Sequence, residues 1–404
     1  MEKLGKYCKI ISGYAFKSND LSEGTEIPVI KIGNISNGDD IITDSSTQYV
    51  SSDFLSIDEK YHIKKGDVLI SLTGSHINQP NSMVGRSCRN FSDTEFLLNQ
   101  RAGKVIPNEN ADKNYLYYLL NTESFKYSIC NRAYGAANQA NVSPSDIENI
   151  KWNFPPLPTQ KKIASILSAY DDLIQNYKKQ IQALQTAASE LYKEWFVRFR
   201  FPGYQNTKFE NGIPEGWKVA RLKDIAKDVG KTITKNEINY EKDVYIPIDC
   251  IPNHNMALTE VSDIENAESS LQRFESGDIL FGAMRVYFHK VILAPMQGVT
   301  RKTCFVIHAK KDIFHNYLYS LLFSNTTINY ANTISVGATM PYVRWNDFIR
   351  MQCLFPSEKI LNDYNKIISP IFKTIMNSYK YLSNLTQQRD LLLPRLMSGK
   401  LEVK

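Results

Sequence analysis

The chain has 404 residues, 43% apolar and 22% charged, with a net charge of +6. That is enough apolar material for two packed domains plus spacers, and a charge that permits a polyanionic partner without demanding one. The six cysteines, Cys8, Cys88, Cys130, Cys250, Cys304 and Cys353, form no C-x-x-C pair and have no histidine cluster beside them, so neither a zinc site nor a disulfide framework is expected. Met1–Gly5 lacks an apolar leader and no apolar run approaches the ~18 residues of a membrane span, so a soluble, cytoplasmic protein is expected.

Residues 1–157 read as a mixed α/β module. β-Branched runs at Ile27–Ile32 and Val68–Leu72 are strand-like, Gly33-Asn34, Asn37-Gly38 and Gly74-Ser75 punctuate them as turns, and Asn114 to about Tyr127 reads as a helix. Pro155, Pro156 and Pro158 close the module, because proline can neither donate to a ladder nor continue a helix.

Residues 158–200 change period. After Thr159, a candidate N-cap, apolar residues recur at Ile163, Leu167, Tyr170, Ile174, Tyr177, Ile181, Leu184, Ala188 and Leu191. The alternating steps of four and three mark a coiled-coil seam. A helix of some 40 residues, about 60 Å long, needs a partner. Residues 201–355 form a second mixed module, opening at Pro214-Glu-Gly-Trp217. Residues 356–404 then repeat the seam at Tyr364, Ile368, Ile371, Ile375, Ser378, Leu382, Leu385, Arg389 and Leu392, each 201 residues after its earlier counterpart. Ser378 and Arg389 weaken this second seam, Pro370 predicts a kink, and Pro394 predicts a kink or an end. The two helices are expected to pair antiparallel.

The modules also echo each other. Asn114-Tyr-Leu-Tyr-Tyr-Leu-Leu120 returns as Asn316-Tyr-Leu-Tyr-Ser-Leu-Leu322, and Gly135-Ala136 returns as Gly337-Ala338, both at an offset of 202 (114 to 316). Phe154-Pro155 matches Phe355-Pro356, Lys65-Gly-Asp67 matches Ser276-Gly-Asp278, and Ile27-Pro28-Val29 matches Ile246-Pro247-Ile248. The fold class is therefore α+β: two repeated α/β modules separated by two long antiparallel helices. The first module begins only three residues before Leu4, the counterpart of Leu222, so a trimmed first strand is expected. Two copies of one module suit a pseudo-symmetric target, of which duplex DNA is the commonest.

Motifs for catalysis fail on inspection. Gly230-Lys231-Thr232 resembles the end of a phosphate loop, but position 225 is Ile where a glycine is needed. Asn153-Phe-Pro-Pro156 holds the letters of an amino-methyltransferase signature in the wrong order, without a glycine-rich turn for S-adenosylmethionine. Asp58-Glu59-Lys60 is a nuclease-like triplet with no counterpart in the second module. The six histidines show no paired spacing. No catalytic residue, resident cofactor or metal is expected.

What remains are polar loops at equivalent places. In the first module these carry Ser71, Thr73, Ser75, Asn78, Arg86, Arg101, Arg132, Tyr134, Asn138 and Gln139; in the second, Arg285, Tyr287, His289, Lys290, Arg301, Lys302 and Arg344. Arginine against guanine and Asn or Gln against adenine read the major groove, and nearby cations neutralise phosphates. A scaffold with two protein-binding modules is the alternative.

Phe154-Pro-Pro-Leu-Pro-Thr-Gln-Lys-Lys-Ile163, Pro214-Glu-Gly-Trp217 and Arg389-Asp-Leu-Leu-Leu-Pro-Arg-Leu-Met-Ser-Gly-Lys-Leu401, together with the repeat, resemble the specificity subunits of Type I restriction–modification systems over essentially the whole chain. The resemblance implies two target-recognition domains, each reading half of a split DNA site, and paired helices that set the spacer. It implies double-stranded DNA, two methyltransferase subunits and motor-nuclease subunits as partners. S-Adenosylmethionine, ATP and Mg would belong to those partners, which methylate adenine N6 or cleave.

Overall fold

A computed structural model describes the chain apart from residues 25, 45, 77–82, 137–138 and 404. It divides into two compact units, one of Met1–Gln175 with Gln387–Lys404 and one of Asn176–Thr386. Both long helices therefore contribute to both units. Among the described residues no helix is long and apolar enough to cross a membrane.

In the first unit an antiparallel sheet runs in the order Cys8–Ser12, Ala102–Pro107, Val68–Ser71, Ser87–Arg89. Val68–Ser71 is buried throughout, which explains its unbroken apolar run where a half-exposed strand would alternate. A second sheet orders Gln48–Val50, Ile27–Ile30, Phe96–Leu98, His62–Ile63, with Ile27–Ile30 parallel to Phe96–Leu98. The helix Lys113–Asn121 is capped by Asp112, whose carboxylate accepts from Tyr115 N at 2.9 Å. Its residues Tyr115 to Leu120 are all buried.

The second unit repeats the plan. Ala226–Asp228, Cys304–Ala309, Ile279–Gly282 and Val291–Leu293 form the matching antiparallel sheet in the same order. Val244–Tyr245 lies parallel to Gly298–Arg301, as Ile27–Ile30 does to Phe96–Leu98. Gly66 and Gly277 sit at φ +80° and +90° in equivalent turns. In each turn the following aspartate accepts from the backbone N–H three residues before it, Lys64 at 2.9 Å and Glu275 at 2.8 Å. One expected echo shifts register. Val29 pairs with Leu97 and Tyr245 with Val299, and the 3-10 turns that follow start three residues on in both units, at Ile32–Asn34 and Ile248–Cys250. The counterpart of Ile246 is thus Ile30, and the shared Ile-Pro is not an equivalence. The strand expected to be trimmed exists as Glu2–Lys3 against Lys151–Trp152, two residues where the second unit has four, Lys218–Arg221.

The central helix spans Leu157–Tyr192 and closes in a π-helical turn, Lys193–Val197. It starts before Thr159, because Pro158 is tolerated in a first turn and Gln160, buried at its start, accepts from Asp112 N and donates to Pro155 O at 3.0 Å each. The C-terminal helix is Glu358–Met397. It runs past both Pro370 and Pro394, which are exposed; there water can serve the carbonyls that a proline leaves unpaired.

The two helical segments run antiparallel within each unit. In the first, Ile163, Ala164 and Leu167 share one core with Leu396 and Met397, and Asp171 meets Arg389 further along. In the second, Tyr177 stacks on Tyr381 and Trp195 packs on Tyr364, ring centroids 5.7 Å apart in both cases. Leu167, Ile174, Ile181 and Ala188 are buried, as are Ile368, Ile375 and Leu382; Tyr170, Tyr177, Leu184, Ile371 and Leu385 are half-buried. One row of each seam carries most of the burial. Ser378 is buried without penalty, its hydroxyl donating to Ile375 O at 2.6 Å.

Candidate nucleic-acid interface

The recurring loops converge because the backbone ties them into the same junction twice. Leu72 N donates to Arg101 O at 3.0 Å and Val142 N to Leu72 O at 2.9 Å. In the second unit Ala283 N donates to Thr303 O at 2.8 Å and Val343 N to Ala283 O at 2.9 Å. Each junction carries a small hairpin. In the first unit Tyr134–Ala136 pairs with Gln139–Asn141, which pairs with Thr73–Gly74; in the second, Val336 and Met284 both bridge to Tyr342. The repeated Gly-Ala opens both hairpins. Gly135 at φ +120° and Gly337 at φ +107° occupy conformations that a side chain resists, and a Cβ on Gly135 would lie 2.4 Å from Gln139 O.

Of the sequence-nominated residues in the first unit, Arg101, Arg132, Tyr134 and Gln139 are exposed around this junction, Arg132 resting on Ser128 O at 3.1 Å. Ser71, Thr73 and Ser75 are buried. Thr73 donates to Asn141 Oδ1 at 2.8 Å, so it braces the hairpin. Asn78 and Asn138 lie outside the described residues. In the second unit Tyr287, Arg301, Lys302 and Arg344 are exposed and Arg285 is half-exposed. Arg301 Nη2 donates to Ser269 Oγ at 3.3 Å. Arg344 has its pKa raised, first by its hydrogen bond with the Tyr342 hydroxyl.

Arg86 and Lys290 occupy the same place in the two units. Ser71 N donates to Arg86 O and Gly282 N to Lys290 O, both at 2.8 Å. Arg86 Nη2 reaches Ile32 O at 3.1 Å, and Lys290 Nζ reaches the counterpart carbonyl of Ile248 at 2.8 Å. Each cation pins a 3-10 turn to the junction. His289 is 3% exposed. Its Nε2 donates to Phe323 O at 2.8 Å, and burial pulls its pKa down to about 4, with His254 adding to the shift. It is a neutral anchor beneath the loop and presents no cation to solvent.

Three features escaped sequence reasoning. Val336, Phe288, Met340 and Tyr342 are exposed apolar residues at the second junction, in stretches scored only for polar groups. Gln185, buried on the central helix, holds the loop before the junction: its amide donates to His254 O and accepts from Met256 N, both at 2.8 Å. The third is a buried ionic network in the first unit. Asp171 accepts from Arg389 Nη1 at 2.8 Å, from the Tyr118 hydroxyl at 2.5 Å and from Arg89 Nη2 at 3.3 Å. Arg89 also donates to Asn114 at 2.9 Å and lies over the Phe91 ring. Burial opposes the charge on Arg389, but Asp171 outweighs it and keeps the guanidinium protonated. The signal was available: an arginine in an apolar seam requires a buried acid nearby. Among the described residues no three His, Cys, Asp or Glu side chains are placed to hold a metal ion.

The chain is 28% identical to the specificity subunit of the type I restriction enzyme MjaIX of Methanocaldococcus jannaschii, over 98% of this chain and 91% of that one. It is 23% identical to the HindI specificity subunit of Haemophilus influenzae, over 85% and 88%. The crystal structure of a Type I restriction–modification S subunit from M. genitalium matches its fold with a TM-score of 0.61 at 15% identity, covering 98% of this chain and 95% of the other. The model of the Type I restriction modification DNA specificity domain matches twice, over residues 1–186 and 214–388. These two matches cover most of the chain and fall on the two copies of the repeat: the protein belongs to the Type I restriction–modification DNA specificity family.

Proposed function

We propose that this chain is the DNA-recognition subunit of a Type I restriction–modification complex and reads a bipartite site, one half with each unit. The observation that carries the reading is the doubled junction. Its backbone hydrogen bonds repeat between the units, while the side chains it displays differ: Arg101, Tyr134 and Gln139 in one, Arg285, Tyr287 and Arg344 in the other. A constant frame with variable contacts is what two different half-sites require. Exposed arginines and lysines supply phosphate contacts, and Gln139 and the arginines supply groups that hydrogen-bond base edges.

On this reading the chain recognises and does not catalyse. Two methyltransferase subunits dock on the paired helices and bring S-adenosylmethionine to adenine N6. Motor-nuclease subunits with ATP and Mg complete the complex.

The test is methylome sequencing of cells that express the neighbouring methyltransferase subunit with and without this chain. A split, adenine-methylated motif that appears only with the chain is the expected result. A stable complex with no chain-dependent motif would sink the recognition reading and favour a protein-binding scaffold.

A further inference from the structure

The second junction ends in an aromatic tip that base-edge reading does not use. Tyr287 and Phe288 follow each other in the 3-10 turn Val286–Phe288, with ring centroids 4.7 Å apart. They are 46% and 36% exposed. Both residues flanking the turn are left-handed without being glycine: Arg285 at φ +49° and His289 at φ +53°. Such backbone is costly and persists where surrounding contacts enforce it.

Those contacts lie on both sides. Arg285 N donates to Pro341 O at 2.7 Å, tying the turn to the hairpin. On the other side, His289 is buried against Phe323 O, and its carbonyl accepts from His254 N at 3.1 Å. His254 is itself left-handed, and its own carbonyl is held by Gln185. Two flat apolar side chains thus project from a turn that is fixed at its base. Val336, Met340 and Tyr342 of the hairpin are also exposed, and Arg285 and Arg344 flank the group.

We infer that Tyr287 and Phe288 form a wedge that enters the base stack of the half-site read by the second unit, unstacking one step and bending the duplex there. This inference rests on the DNA-recognition reading. The physical case is complementarity. An aromatic pair finds its largest apolar partner in DNA between base pairs, a far larger face than the thymine methyl in the major groove, and the flanking arginines match the phosphates nearby. The rigid base matters because a flexible loop would fold its aromatics back on itself before opening a stack. A wedge also selects sequence without touching a base edge, since pyrimidine–purine steps open most easily.

The test uses the full chain with its methyltransferase partner. Duplexes retained from a random library are resynthesised with 2-aminopurine at successive positions and with dyes at both ends. Wild type is expected to brighten the probe at one step, preferably pyrimidine–purine, and to shorten the end-to-end distance. Y287A/F288A should abolish both signals and weaken binding about tenfold or more, the range for losing aromatic stacking on bases. Y287F should keep them. R285A should lower affinity and salt dependence while the probe still brightens. Tight wild-type binding with no brightening and no bend overturns the wedge and leaves recognition standing. Loss of the methyltransferase partner in Y287A/F288A, with the DNA signals intact, overturns it in favour of a protein contact. Retention of no duplex at all overturns the recognition reading and the wedge together.

Discussion

Asp171 shows how the two units solve one packing problem in different ways. The sheet register makes Leu293 the counterpart of Arg89, and the seam offset of 201 makes Phe372 the counterpart of Asp171 and Ala188 that of Arg389. The second unit therefore fills with apolar side chains, all buried, the place where the first buries ions. A buried ion pair gains little over a well-packed apolar set, but stripping one partner strands a charge. Asp171→Ala should thus cost about 3–5 kcal/mol in chemical denaturation, leaving two arginines facing each other. The transplanted set R89L/D171F/R389A should cost less than that single change. A triple variant no more stable than Asp171→Ala would mean that the network does more than fill space.

His289 supports a second prediction at the same scale. It is neutral when folded, with a pKa of about 4, whereas an unfolded histidine titrates near 6.5. Between these values the unfolded chain binds the extra proton, so stability is full above pH 6.5 and falls as the pH drops towards 4. The loss should approach about 3 kcal/mol near the lower end. His289→Asn, which tolerates the left-handed backbone, should flatten this part of the pH profile of unfolding.

At the scale of elements, the helices were the most legible part of the sequence and the junctions the least. A seam repeats every seven residues whatever surrounds it, so Ile174, Ile181, Ile368 and Ile375 could be picked out by spacing alone. A charge there has no partner. Ile181→Asp should cost roughly 3 kcal/mol or more and strip amide protection from residues 176–192; under the proposed docking on the paired helices it should also release the methyltransferase subunit. Gln180→Asp, one residue away and exposed, should do neither. The loops carried no such periodicity. Composition marked polar segments but did not separate Arg101, which faces solvent, from Arg86, whose guanidinium grips Ile32 O. That difference depends on where the chain returns: Arg86 precedes the strand Ser87–Arg89 of one sheet, Ile32 follows Ile27–Ile30 of the other, and the fold brings them together. His289 failed as a candidate contact for the same reason: nothing local in the sequence puts Phe323 over it.

For the whole molecule, duplication means that recognition should be separable by unit. Each unit has its own sheets, helix pair and junction, and the junction's hydrogen bonds stay within it. The frame that positions Arg285, Tyr287 and Arg344 is therefore contained in residues 176–386. Replacing residues 214–355 with the matching segment of a related specificity subunit should change one half of the methylated motif and leave the other half intact. The spacing between the halves should also hold, because both seams remain native. The cut at 214 leaves Phe196 facing foreign counterparts of Trp217 and Tyr317, so donors that keep aromatics at those two places should fold best. Methylome sequencing of such chimaeras reads all three features at once. A chimaera that folds and methylates but alters both halves together would show that the units do not read independently. One that alters the spacing alone would move the spacer function from the helices into the modules.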